Sequence, residues 1–244
     1  MTEAEWLACA DPQQLVKFLL QDGFYGGSAR LAAEARVGKR KLRLFACACC
    51  RRIWHLLPDQ QAREVVQVAE RYADGLATRE ELIVASDAGM GSIPASGSMG
   101  VDRAICAAAY TGMPGGNEYR EEDVCACVAT AASHLGPGKT IHGHPCQLFD
   151  EAVREAEMTI QCSLCRDIFR NPFRPVAFDP VWRTATVTSL AQKVYEERRF
   201  ADLPVLADAL EDAGCDNRDI LDHCRLPGEH VRGCWVVDLV LEKS

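Results

Sequence analysis

The amino-acid sequence predicts an all-α protein, and three observations carry that expectation. Alanine is abundant while aromatic residues make up only 7% of the chain, a balance that favours helix over sheet. Helix start and stop signals recur along the sequence. Between them, apolar residues fall at helical spacing, which predicts about ten helices in an array or bundle with short Gly/Pro-rich connections.

The first helix opens on the capping box formed by Thr2 and Glu5. Asp11 followed by Pro12 places a cap before proline at the first position of the second. Gly23, Gly26 and Gly27 then interrupt the chain. Residues 39–57 place Leu42, Phe45, Cys49, Ile53 and Leu56 at helical spacing, with basic residues at both ends. Pro58 and Asp59 stop that helix and start another, whose face carries Val65, Val68, Ala69 and Tyr72. Thr78 and Glu81 repeat the capping box.

Residues 86–102 are rich in Gly and Ser and read as a linker. Ala-rich helices follow at 103–111 and 119–135, then an irregular stretch at 136–146 and a helix at 147–169. Three prolines between 172 and 180 forbid a regular helix there. Further helices are expected at 186–198, 203–213, 216–224 and 229–242. The expected organisation is an N-terminal helical part (1–85), a variable middle (86–146) and a C-terminal helical part (147–244), which can pack as one domain.

At 244 residues the chain is long enough to bury a core without covalent staples. A net charge of -8 argues against general binding to nucleic acid or anionic membranes, since phosphate affinity rests on Lys and Arg. No run of about 18 apolar residues is present, so no membrane span is expected. The opening MTEAEWLACADPQQL has no basic segment before an apolar one. With that opening, thirteen cysteines point to reduced thiols in a cytoplasmic protein rather than a secreted disulfide scaffold. Many of them are expected to be buried as small hydrophobic side chains.

Several phrases are similar to those of a functionally uncharacterised group of bacterial proteins that occur as many copies in a genome. They are RDIFRNPFRPVAFDP (166–180), LADALEDAGCDNRDILDHCR (206–225), HVRGCWVVDL (230–239), KLRLFACACCRRIWHLL (41–57) and AERYADGLAT (69–78). The resemblance covers about a third of the chain and implies a helical architecture in a bacterial cytoplasm. It implies no activity.

Cys215, His223, Cys224, His230 and Cys234 form the densest group of potential metal ligands. On a helix spanning 229–242, His230 and Cys234 would be i, i+4 neighbours on one face, with zinc as the candidate ion. Adjacent His223 and Cys224 would project about 100° apart, and the spacing matches no standard zinc finger. Arg232, Trp235 and Asp238 would support such a centre. A second group comprises His142, His144, Cys146, Cys162 and Cys165. If 147–165 is one helix, Cys146 and Cys162 lie about 24 Å apart and cannot share an ion. Cys162 and Cys165 share a face and can meet Cys47 and Cys50. Their place near a helix C-terminus does not suit a redox pair.

GPGKT at 136–140 lacks the upstream glycine and the strand–turn–helix setting of a phosphate-binding loop. No G-x-S-x-G elbow is present. The basic run holding Arg40, Lys41, Arg51 and Arg52 either pairs with acidic helices of the same chain or offers a surface to an acidic partner. The reading that follows is a non-enzymatic interaction or regulatory module with a protein partner. The alternative is a metal-binding (zinc or iron) or thiol-dependent protein built on the C-terminal Cys/His cluster.

Overall fold

A computed structural model describes residues 1–20, 38–57, 60–91, 99–112, 121–133, 139–141, 144–146 and 150–243. Among them are twelve α-helices, so the all-α expectation holds with two more helices than anticipated. A short antiparallel ladder pairs Lys139–Ile141 with His144–Cys146, inside a stretch whose sequence reads as irregular. No described helix is long and apolar enough to cross a membrane.

Helix α1 (Glu3–Ala8) starts at the expected capping box: Glu5 N donates to Thr2 Oγ1 at 3.3 Å and Thr2 N to Glu5 Oε2 at 2.7 Å. The amide bond from Thr2 holds the Glu5 carboxyl below its ordinary value. In α2 (Pro12–Leu20), Asp11 caps the Gln13 amide at 2.9 Å. Helix α3 (Lys39–Arg52) buries Leu42, Leu44, Phe45 and Cys47 through Cys50, so apolar contact surrounds much of its length. It is followed by α4 (Gln60–Ala73), α5 (Arg79–Gly91), α6 (Met99–Gly112) and α7 (Glu121–Ser133). Thr78 and Glu81 form the second capping box at the head of α5.

Helix α8 (Glu151–Phe169) is capped by Asp150, whose carboxylate accepts from the Ala152 and Val153 amides. Its buried face carries Leu164, Cys165 and Ile168, with Asp167 among them. After the proline-rich stretch come α9 (Ala185–Glu196), α10 (Leu203–Asp212), α11 (Arg218–Arg225) and α12 (Trp235–Leu241). The expected helix at 229–242 is thus confined to its second half. Residues 227–231 are not helical, and Gly233 sits at φ +94°. The preceding helix ends at Arg225, because Leu226 before Pro227 takes extended backbone and the proline has no amide to continue the ladder.

Two hydrophobic cores result. The first runs from α1 to α8 and contains Trp6, Leu15, Phe45, Leu57, Ile105, Val128, Cys165 and Ile168. The second is built from α9 to α12, around Val187, Leu203, Leu206, Ile220, Val236 and Val237. Helices α6, α7 and α8 all contribute to the first.

The seam between the cores is largely ionic. Arg40 binds both oxygens of Asp238 at 2.7 and 3.1 Å, Asp74 at 3.0 Å and the Tyr195 hydroxyl at 2.8 Å. Glu70 is shared by Arg51 and Arg198, and Arg52 links Glu157 to Glu229. Apolar contact across the seam includes Gly233, where an added Cβ would sit 3.2 Å from Leu44 Cδ1 and 3.5 Å from Ile168 Cγ1. Gly233→Ala is therefore expected to lower stability by about 1–2 kcal/mol, from positive-φ strain and a crowded seam. A shift of the urea midpoint at unchanged slope is the readout; an unshifted midpoint would contradict this packing.

Candidate metal centre

Four side chains from three parts of the chain meet beside the seam. Asp167 comes from the last turns of α8, and His223 from the last turn of α11. The non-helical stretch after Pro227 carries His230 back towards α8. Gly233 then turns the chain so that Cys234, at the N-cap of α12, faces the same point. Their ligand atoms (one per residue) all lie within 4.8 Å of one another.

His230 Nδ1 lies 2.6 Å from Asp167 Oδ1, and His223 Nε2 lies 3.1 Å from the same oxygen. His223 Nε2 is 3.3 Å from Cys234 Sγ. The second carboxylate oxygen, Asp167 Oδ2, accepts from the Val231 amide at 3.0 Å, which fixes the rotation of the carboxylate. The two imidazoles meet edge to face at 4.8 Å, and Trp235 closes the other side of His223 at 4.9 Å.

The electrostatics follow from burial. Asp167 has only 4% of its side chain exposed. Desolvation would push its carboxyl up, but hydrogen bonds and electrostatic attraction from His223 and His230 hold it below the ordinary value. Burial pushes the Cys234 thiol well up, helped by the negative charge of Asp167, while the nearby Val236 and Val237 amides pull the other way. A divalent ion would reverse that balance, because a coordinating thiol is deprotonated by the metal. Tetrahedral zinc with nitrogen, oxygen and sulfur ligands has ligand–ligand edges of about 3.3–3.6 Å. Two of the observed separations are close to that. The Asp167–His230 separation of 2.6 Å is a hydrogen bond whose proton a metal would displace, and the widest separation, up to 4.8 Å, would have to close by about 1 Å.

Of the five sequence candidates, the structure brings together His223, His230 and Cys234. Cys215 and Cys224 instead pack in the second core with Ile220 and Leu221. The divergence of His223 and Cys224 is the turn angle of a helix at work. Burial pushes the Cys224 thiol up to about 12, and burial likewise raises that of Cys215. The expected i, i+4 relation of His230 and Cys234 does not occur, since His230 precedes the helix. Asp167 was missed, although a carboxylate one turn from Leu164 and next to Ile168 was a readable signal.

The second ligand group forms no centre that the described residues show. His142 and the side chains of His144 and Cys146 lie outside them. Cys162 and Cys165 are in the first core with Cys49, Cys50 and Cys125. Among the described residues, the Asp167 group is alone in bringing three or more His, Cys, Asp or Glu ligands together. The described cysteines are free thiols. Burial raises those of Cys47, Cys50 and Cys165, and a hydrogen bond with Cys49 together with burial raises that of Cys125. In native reduced protein at about pH 8, half-buried Cys9 and Cys106 should react first with a disulfide reagent, and these four only on unfolding. Rapid native labelling of the four would contradict their placement.

The candidate partner residues face inward. Arg40 and Lys41 pair with Asp238, Arg51 with Glu70, and Arg52 with Glu157 and Glu229. The helix belongs to the first core, and its cations meet carboxylates of the same chain. Charge reversal at Arg51 and Arg52 would therefore disturb the fold itself. Comparison with protein-family models, curated proteins and solved structures finds no match for this chain.

Proposed function

We propose that the chain is a metal-binding protein whose centre holds a single zinc-class divalent ion through Asp167, His223, His230 and Cys234. The observation behind this reading is the convergence of four chemically suitable ligand atoms within 4.8 Å, from positions 167 to 234 in the sequence. A two-imidazole, one-thiolate, one-carboxylate set suits zinc in preference to the oxygen-only sets of magnesium or calcium. Four protein ligands fill a tetrahedron, which marks a structural centre and leaves no position for a substrate. The ion would tie the stretch between α11 and α12 to α8.

The setting proposed with it is a reduced cytoplasm, supported by the abundance of buried free thiols. The phrases shared with multi-copy bacterial proteins support a bacterial origin.

Cobalt(II) titration of metal-stripped, reduced protein tests the centre. Saturation at one equivalent, with a sulfur-to-cobalt charge-transfer band absent from Cys234→Ser, is the expected result. Failure to saturate, or an unchanged band in that variant, would remove the proposal.

A further inference from the structure

The ligands of this centre do not belong to one core. Asp167 sits on α8, whose neighbours Cys165 and Ile168 are part of the first core. Cys234 belongs to the second, and His223 lies on α11 between second-core residues Leu221 and Cys224. An ion bound here would therefore bridge the two cores covalently.

The rest of the seam makes that bridge decisive. Its main contacts are ion pairs and hydrogen bonds: Arg40 with Asp238 and Tyr195, Glu70 with Arg198, and Arg52 with Glu229. Tyr195 also donates to Asp74 at 2.7 Å. Buried ion pairs return little net stability, because removing the charges from water offsets much of their attraction. The apolar part of the seam includes Val231 against the first core and Gly233 against Leu44 and Ile168. A seam of this kind is held weakly by its own contacts, whereas metal binding contributes its full free energy to whichever arrangement assembles the ligands.

Resting on the metal reading, we infer that the ion is the clasp that docks the second core onto α3, and that its removal undocks that core without unfolding the first. In the docked state the second core covers the basic helix: Asp238 lies over Arg40 and Lys41, and Glu229 over Arg52. Metal occupancy thus controls whether these cations are masked. Lys41 reports this directly, since its ammonium is held between the Ile168 carbonyl at 3.1 Å and Asp238 at 3.8 Å.

The test compares full-length protein loaded with zinc, stripped by chelator, and reloaded with zinc, with metal content measured in each state. Two readouts are followed: acetylation of Lys41 by acetic anhydride, and amide hydrogen exchange by mass spectrometry. On stripping, Lys41 acetylation and exchange across 227–241 should each accelerate by about tenfold or more, and both should recover on reloading. Amides within residues 42–50 should change by less than about twofold. Stoichiometric zinc whose removal leaves Lys41 and 227–241 unchanged would overturn the clasp while sparing the metal centre. Equal acceleration across 42–50 would mean global unfolding and would also overturn it. A protein that takes up no zinc would defeat the underlying metal reading itself.

Discussion

Replacing Arg40 by alanine is expected to lower the free energy of unfolding by about 3–5 kcal/mol, as for other buried pairs broken from one side. Arg40 has 11% of its side chain exposed and Asp238 only 2%, so neither can turn to water in compensation. Burial pushes the Asp238 carboxyl above its ordinary range, against the pull of Arg40 and Lys41. Removing the guanidinium leaves that carboxyl with only the Lys41 ammonium at 3.8 Å, and it also takes donors from Asp74 and Tyr195. Arg40→Lys should recover little, because one ammonium cannot reproduce the two-point bond to Asp238 together with the contacts to Asp74 and Tyr195. Urea unfolding measures the loss. An alanine variant within about 1 kcal/mol of the parent would show that the pair is not buried as described.

Asp167→Ala should cost a comparable amount, about 3–5 kcal/mol in metal-loaded protein, since it removes a ligand and strands buried donors together. In this variant the Val231 amide loses its acceptor and the ion its carboxylate ligand, and in metal-free protein both imidazoles lose their acceptor as well. Asp167→Asn separates the two contributions, because it keeps the side-chain size and an acceptor oxygen but removes the charge. It should retain more of the fold than Asp167→Ala while binding metal much more weakly. Calorimetric melting with and without added zinc distinguishes them. The difference between zinc and chelator should be large in the parent and small in both variants. A parent melting temperature indifferent to zinc would contradict the expectation.

The fold was legible where local chemistry decides it. Thr2 with Glu5 and Thr78 with Glu81 form the capping boxes their spacing implies, and Asp11 caps the helix that begins at Pro12. It was less legible where tertiary contact decides. The apolar run Trp235 to Leu241 continues the periodicity of residues 229–234 on paper, yet Gly233 turns the chain so that it can pass close to Leu44 and Ile168. Sequence periodicity contains no record of such an approach.

The candidate site was half legible for a related reason. His223, His230 and Cys234 stood out as residue types, but the fourth group is Asp167, separated from them by more than fifty positions. Cys224 shares the same stretch and differs only in the direction its helix gives it, while Cys215 lies in the connection between α10 and α11, and both pack in the second core. Likewise, the basic run around Arg40 and Arg51 offered either a partner surface or internal pairs. The choice depends on where α3 sits relative to Asp238 and Glu70, and only the assembled cores settle that.

The most direct test of the metal centre is elemental analysis of untagged protein, purified under reducing conditions without chelator, alongside four single variants. The account predicts about one zinc-class ion per chain in the parent and near none in Asp167→Ala and Cys234→Ser. Cys215→Ser and Cys224→Ser should keep their metal, since both thiols pack in the second core outside the four-ligand group. A parent free of metal, or variants at 215 and 224 that lose it as fully as those at 167 and 234, would contradict the account.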